Sequence, residues 1–116
     1  MVSVTRMTWA LSRHPKLLER LFTPEERASV GEGPNAPAQW AARFAAKESV
    51  VKALGGWHGA GWQDIEVIRQ PDAGPSLRLH GNLERWTLQK KLQVWVSISH
   101  EREHAVAMAV AEQEAP

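Results

Sequence analysis

The alternation of apolar and polar residues predicts short helices at the start of the chain. From Arg6 to His14 the apolar positions recur at helical spacing, and Pro15 prevents that helix from continuing, so a second short helix is expected after it. Thr23 can cap a further helix, because a proline follows it and Glu26 stands three residues later, as in a capping box. A third helix is therefore expected to begin directly after Thr23.

A long helix is predicted in the middle of the chain. Residues 31–37 are rich in glycine and proline and predict a loop, and Pro37 suits the first turn of the helix that follows. The adjacent glycines Gly55 and Gly56 are typical of a helix end. This is the longest element that the pattern predicts.

Strands are predicted mainly in the second half of the chain. Four runs alternate apolar and polar residues as half-buried strands do, and they form two consecutive hairpins. The runs are residues 64–68, 76–79, 94–99 and 105–111. A helix capped by Asn82 and reaching Lys91 is expected between the hairpins. Residues 2–4 alternate like the end of one more strand, and the alanines of the last run leave room for a helix to pack closely.

Composition and charge restrict the class of protein. A chain of 116 residues with 43% hydrophobic residues suits one domain, residues 1–116. The net charge of +1 disfavours a nucleic-acid-binding module, which usually has a strong basic excess. The chain has no cysteine, no apolar run long enough to span a bilayer and no apolar signal-peptide core. We therefore expect a cytoplasmic protein with neither a membrane nor a nucleic acid as partner.

Glu48 occupies an unusual position for a carboxylate in the long helix. At 3.6 residues per turn, it falls between Phe44 and Val51 on a stripe that is expected to face inward. A buried carboxylate must be paired, hydrogen-bonded or bound to a metal. Lys47 and Lys52 flank Glu48, so a metal and an anionic substrate could meet there. The alternative is a structural ion pair between Glu48 and Lys52.

Four cations lie on the first two predicted helices. Arg6 and Arg13 are seven residues apart and share one flank, and Lys16 and Arg20 share a face of the second helix. On spacing alone these cations are consistent with a solvated helix surface. The alternative is a docking surface for an acidic amphipathic partner, since apolar residues lie beside them.

Three segments together resemble one protein family. The segments are Phe22-Thr23-Pro24-Glu25-Glu26, Arg43-Phe44-Ala45-Ala46-Lys47-Glu48 with Lys52-Ala53-Leu54-Gly55, and Ser97-Ile98-Ser99-His100. In this order they are similar to the FTPEE segment, the RFAAKEA-x-x-KALG helix and the SISH strand end of the holo-(acyl-carrier-protein) synthases, the short trimeric class of phosphopantetheinyl transferases. Residues 64–67 and the turn at Gly74-Pro75 also match that family, and the resemblance runs from Val2 to Glu112.

The resemblance implies a fold, an assembly and an activity. The fold would be α+β, with a small antiparallel sheet packed on the long helix. The chain would form a homotrimer whose active sites lie between subunits, one subunit giving the Glu48 helix and its neighbour giving Gly74 and Pro75. The activity would be magnesium-dependent transfer of 4'-phosphopantetheine from coenzyme A to a serine of apo acyl carrier protein, which releases adenosine 3',5'-bisphosphate.

The resemblance also implies roles for particular residues. Glu48 would bind magnesium and help to remove the serine proton, and Lys52 would face the phosphates as a second catalytic residue. Lys47, Ser99 and His100 would contribute to the coenzyme A site, although His100 alone would be read as an ordinary polar residue at a strand end.

Arginines of the first two helices are predicted to dock the carrier protein, because clustered cations beside apolar Ala10 and Leu17 suit an anionic amphipathic surface. Arg6, Arg13 and Arg20 would dock an acidic helix of the carrier protein. Such contacts act mainly on the rate of association.

The chain departs from the family seriously at one position, and more mildly at Glu101 and in the proline-rich segment 31–37. The family's first strand carries a G-x-D-I-x-x-I pattern whose aspartate is a second magnesium ligand, and alignment of Val4, Arg6 and Met7 puts that aspartate one position before Met1. We expect the natural protein to begin upstream of Met1, so that restoring the aspartate raises magnesium-dependent turnover. The alternative is a catalytically weak or inactive homologue that binds coenzyme A or carrier protein.

Overall fold

The structure is a computed structural model that describes residues 1–114. Its helices are α1 (Val4–Arg13), α2 (Leu17–Leu21), α3 (Pro24–Val30), α4 (Ala36–Ala53) and α5 (Gly81–Lys90). Its strands are β1 (Val2–Ser3), β2 (Ile65–Ile68), β3 (Ser76–Leu79), β4 (Leu92–His100) and β5 (His104–Gln113), and a 3-10 turn spans Trp62–Asp64. The order of elements confirms the α+β prediction. Within residues 1–114, no helix combines the length and apolar character that crossing a membrane requires.

The starts of two helices, α1 and α5, differ from the sequence prediction. Val4 begins α1 rather than ending a strand, because the side chain of Ser3 accepts a hydrogen bond from the backbone N–H of Arg6 and caps the helix. Asn82 does not cap α5, whose cap is His80. The amide of Asn82 instead donates a hydrogen bond of 2.8 Å to the carbonyl of Gly59, which ties the loop after α4 to α5.

A three-stranded antiparallel sheet packs against α4. Its strand order is β1-β5-β4, while β2 and β3 form a separate antiparallel hairpin. Ala105 is fully buried, and the other alanines on its face of β5 pack with residues of α4, so the helix approaches the sheet closely. The small antiparallel sheet on a long helix is therefore confirmed.

The opposite face of this sheet is apolar and exposed. Trp95 is 57% exposed and pairs across the strands with Val110, which is 50% exposed. Met108 and Val106 lie on the same face and are 68% and 47% exposed. Apolar patches of this kind mark interaction surfaces.

The core consists of two clusters that α4 connects. The first includes the tilted pair of Phe22 and Trp40, whose ring centroids are 4.6 Å apart. The second includes Val50, Ile65 and Leu83, all with no exposed surface. Glu48 lies on α4 between Ala45 of the first cluster and Val50 of the second. Packing therefore holds the helix on both sides of Glu48.

Candidate active site

A cavity of about 860 Å³ contains Glu48. Its lining comes from β1, α1, α2, α4, the 3-10 turn and β5, and most of it is apolar. The polar lining residues are Ser3, Arg6, Glu48 and His104. Glu48 is thus the one carboxylate among the lining residues, and it faces an open space of the size that small ligands occupy.

Aromatic rings form the wall beside Glu48. Phe44, one turn earlier on α4, stacks on Trp62 with a centroid distance of 5.0 Å, and both rings line the cavity. Trp57 meets Trp62 edge-on at 4.6 Å and supports it from behind. The carboxylate therefore lies on a rigid, largely apolar wall.

Glu48 is half-buried, and no salt bridge within residues 1–114 includes it. Lys52 is exposed one turn further along α4 and is likewise in none of these salt bridges. The alternative of a structural pair between Glu48 and Lys52 is therefore wrong. Both charges are available to a ligand.

Lys47 requires a correction, because it is fully buried. Its Nζ donates hydrogen bonds to Glu26 Oε1 at 2.6 Å, to the Leu21 carbonyl at 2.6 Å and to the Trp62 carbonyl at 3.1 Å. These contacts use all three of its N–H donors, so Lys47 does not face a coenzyme A molecule. Burial lowers the pKa of Lys47, and the neighbouring carboxylate of Glu26 opposes that shift.

Glu26 joins α3 to the rest of the fold through both carboxylate oxygens. Oε1 accepts the backbone N–H of Thr23 at 3.0 Å and completes the predicted capping box. Oε2 accepts the backbone N–H of Val67 in β2 at 3.1 Å. The capping box was predicted from the sequence, whereas the contacts of Glu26 with Lys47 and β2 were missed because they join residues 21 and 41 positions apart.

Glu66 extends this buried network toward the surface. It is 3% exposed, and its Oε2 accepts a hydrogen bond of 2.7 Å from the hydroxyl of Thr23. His80 Nε2 lies 3.2 Å from Glu66 Oε1, and Arg78 lies 3.8 Å from the same oxygen. Burial acts to raise the pKa of Glu66, but the hydrogen bonds from Thr23 and His80 and the nearby charges outweigh it and hold the pKa below the usual value.

Lys52 is exposed on α4 but does not line this cavity, and four further predicted site residues do not reach the cavity of the same chain either. Ser99 and His100 are exposed at the end of β4, and neither lines the cavity. Gly74 and Pro75 are also absent from its lining, and Pro75 borders a separate cavity of about 250 Å³ beside β4. A role for these residues in the Glu48 site therefore requires a second chain and stays a prediction.

Cations continue outward from the cavity across α1 and α2. Arg6 lines the Glu48 cavity, and Arg13 and Arg20 line an adjoining cavity of about 470 Å³. Leu17 lines both cavities and connects them. The guanidinium of Arg13 lies 4.9 Å from the ring centroid of Trp9, which holds one cation in place on this surface.

A group of possible metal ligands occurs in the turn between β4 and β5 and was not predicted from the sequence. The ligand atoms of Glu101, Glu103 and His104 lie within 4.8 Å of one another. His104 Nδ1 lies 3.3 Å from Glu101 Oε1, and both acidic residues are exposed. Solvation of the exposed carboxylates and the contact between His104 and Glu101 explain how these side chains lie close together without a metal.

Comparison with known proteins identifies the class to which this fold and cavity correspond. The sequence profile of the 4'-phosphopantetheinyl transferase superfamily matches residues 2–109, and the chain belongs to that superfamily. Among curated relatives, the holo-[acyl-carrier-protein] synthase of Salinispora arenicola is 44% identical over 112 residues, which cover 96% of this chain and 92% of the relative. The synthase of Alkaliphilus metalliredigens is 42% identical over 112 residues, which cover 95% and 92%.

Solved structures give the same class. A holo-(acyl-carrier-protein) synthase from Bacillus anthracis in complex with CoA (3',5'-ADP) is similar with a TM-score of 0.79 and 32% identity, covering 97% of this chain and 91% of that one. The synthase from Neisseria meningitidis gives a TM-score of 0.82 at 26% identity, with coverage of 97% and 93%. The resemblance inferred from three sequence segments is therefore confirmed.

The depressed pKa of Glu66 predicts a specific loss of stability in acid. A carboxyl whose folded pKa lies below its unfolded value of about 4.5 stabilises the fold above that pH and loses this contribution as the pH falls through the folded pKa. Wild-type protein should therefore lose stability on acidification below about pH 5, and Glu66→Gln should lose less. Urea unfolding between pH 7 and pH 3 measures this difference.

The matched control for that measurement is Glu84→Gln, which changes an exposed carboxylate on α5. It should keep the wild-type dependence on pH. Equal acid sensitivity in wild type and Glu66→Gln would show that Glu66 contributes nothing to it.

Proposed function

We propose that this protein is a holo-[acyl-carrier-protein] synthase, which transfers 4'-phosphopantetheine from coenzyme A to a serine of apo acyl carrier protein. The observation that carries the proposal is the placement of Glu48, within the segment shared with that family, on a large cavity where no salt bridge of residues 1–114 engages it. The names of relatives that are 44% and 42% identical support it. These names do not support the alternative of a homologue that only binds its ligands.

The donor set at the cavity fits magnesium. Mg²⁺ is usually held by one or two carboxylates, with water and substrate phosphate oxygens completing its octahedron, and Glu48 is a half-buried carboxylate beside open space. Glu48 would hold the ion, which when bound neutralises negative charge on the diphosphate of coenzyme A.

Residues of the chain would accept the serine proton and offset the remaining negative charge of the phosphates. The serine hydroxyl of the carrier protein attacks the β-phosphorus of coenzyme A, and the P–O bond to the departing bisphosphate breaks. Glu48 would accept the serine proton, directly or through water. Lys52, exposed one turn further along the helix, would face the phosphates and offset their charge. The bisphosphate leaves with the bonding electron pair.

The proposed assembly is a homotrimer with each site between two subunits. It is supported by the exposed apolar face that carries Trp95 and Met108, because one chain leaves this face open to water. It also accounts for Gly74, Pro75, Ser99 and His100 lying outside the cavity of their own chain, where they would serve the coenzyme A site from a neighbour.

The proposed carrier-protein surface consists of Arg6, Arg13 and Arg20. Their two adjoining cavities lead from the outer face of α1 and α2 to Glu48, so an acidic helix bound there would be close to the carboxylate. Opposite charges on the two partners would steer their association.

Glu48→Gln tests the central residue. The variant keeps the side-chain shape but removes the charge that would hold the metal and accept the proton, so turnover should fall by about 10²-fold or more. A mass-shift assay on an apo carrier protein measures transfer, and circular dichroism checks the fold. Glu25→Gln, a change of an exposed carboxylate on α3, should keep full activity. Equal turnover in Glu48→Gln and wild type would remove Glu48 from the mechanism.

Arg13→Glu tests the docking surface. Reversing this charge should raise the Michaelis constant for the carrier protein about tenfold at low salt, equivalent to about 1.4 kcal/mol. The effect should shrink as salt screens the charges. The control Lys90→Glu reverses an exposed cation at the end of α5 and should have no such effect. An unchanged Michaelis constant at low salt would place docking elsewhere.

Met108→Glu tests the assembly. Light scattering of the wild type should give three times the 13.0 kDa of one chain, and a charge on the apolar sheet face should reduce it toward one. Leu88→Glu is the matched control, because Leu88 is 70% exposed but lies on α5 and not on that face. A wild type with the mass of one chain would refute the trimer.

A further inference from the structure

We infer that Lys47 is a positioning residue that fixes the walls of the Glu48 cavity at Leu21 and Trp62. The effect that we expect on turnover when the contacts of Lys47 are lost rests on the proposed function. The effect that we expect on the position of Trp62 does not. Lys47 has no exposed surface and does not line the Glu48 cavity, so it acts on that cavity only through other residues.

The three hydrogen bonds of Lys47 converge from three separate segments of the chain. One acceptor is the carbonyl of Leu21, the last residue of α2, whose C=O has no partner within its own helix. Another is the carbonyl of Trp62, the first residue of the 3-10 turn. The third is the carboxylate of Glu26, which itself binds two backbone N–H groups. A single ammonium thus holds α2, α3 and the 3-10 turn against α4.

Two of these acceptors belong to residues that line the cavity with Glu48. Leu21 and Trp62 are both lining residues, and Lys47 directly precedes Glu48 on α4. The indole of Trp62 stacks on Phe44, one turn before Glu48. A shift of the Trp62 backbone would therefore move the aromatic wall next to the carboxylate.

Stability alone does not require a buried ion pair at this position. Replacing a buried ion pair with apolar residues of similar volume is often neutral or stabilising. An apolar side chain would fill the same space, but it would not hold the two carbonyls at fixed distances. Lys47 provides directional contacts that packing alone does not, and both carbonyls belong to the walls of the candidate site.

The first experiment replaces Lys47 with Met, a side chain of similar length that lacks the ammonium. With the enzyme assayed at a temperature where every variant is folded, kcat should fall about tenfold or more, since small displacements around reacting groups are costly. The Michaelis constant for coenzyme A should change by less than about threefold, because Lys52 still faces the phosphates.

The control Leu83→Ala separates positioning from lost stability. Leu83 is fully buried in the second core cluster, away from the cavity lining, so its truncation lowers the melting temperature. It should keep the wild-type kcat below its melting temperature. A kcat for Lys47→Met as high as that for Leu83→Ala would overturn the inference.

The second experiment needs no activity. Protein labelled with 5-fluorotryptophan gives a fluorine resonance for Trp62, assigned with Trp62→Phe, and for Trp95 on the opposite sheet face, assigned with Trp95→Phe. Lys47→Met should shift the Trp62 resonance and leave that of Trp95 in place. An unmoved Trp62 resonance would overturn the inference. If the wild type transferred nothing, the proposed function would fail and this resonance would still decide the role of Lys47.

Discussion

The fold depends on one ion pair from which water is excluded. Lys47 and Glu26 have side chains with no exposed surface, and their charged atoms are 2.6 Å apart. Losing either partner would leave an uncompensated charge in the core, which typically costs about 3–5 kcal/mol. Their other hydrogen bonds reach α2, the 3-10 turn and β2, so the pair binds backbone groups of three separate elements. These contacts connect the helices at the start of the chain to the first hairpin.

This pair also determines where the neighbouring carboxylate points. Successive residues of a helix are rotated by about 100°, so a helix that directs Lys47 into the core directs Glu48 to one side of it. There Glu48 meets the cavity instead of the interior. Because the next turn of α4 is held by Val50 in the second core cluster, the helix has little freedom to rotate about its axis. The exposure of Glu48 is thus a consequence of the burial of Lys47.

This relation explains what the sequence predicted and what it did not. The order of elements and the capping box at Thr23 followed from local spacing, and the family followed from the resemblance of three segments. The inward stripe of α4 did not, because the buried positions include Arg43, with 2% exposed, and Lys47, with none. A pattern built only from apolar residues assigns such cations to the surface and rotates the helix, which is why Glu48 was expected to point inward. The one available signal was the spacing of Arg43 and Lys47 with Val50 and Leu54, which continues a single helical stripe.

The parts of the site that local spacing could not give are those that join distant segments. Glu26 meets β2 across 41 residues and Thr23 meets Glu66 across 43, and no periodicity within an element encodes such contacts. The same limit applies between chains. One sheet face packs on α4, while the other presents Trp95 and Met108 to water, and none of the helices within residues 1–114 covers these two side chains. The proposed homotrimer would answer both points, because a neighbouring copy of the chain could cover the apolar face and contribute to the proposed coenzyme A site.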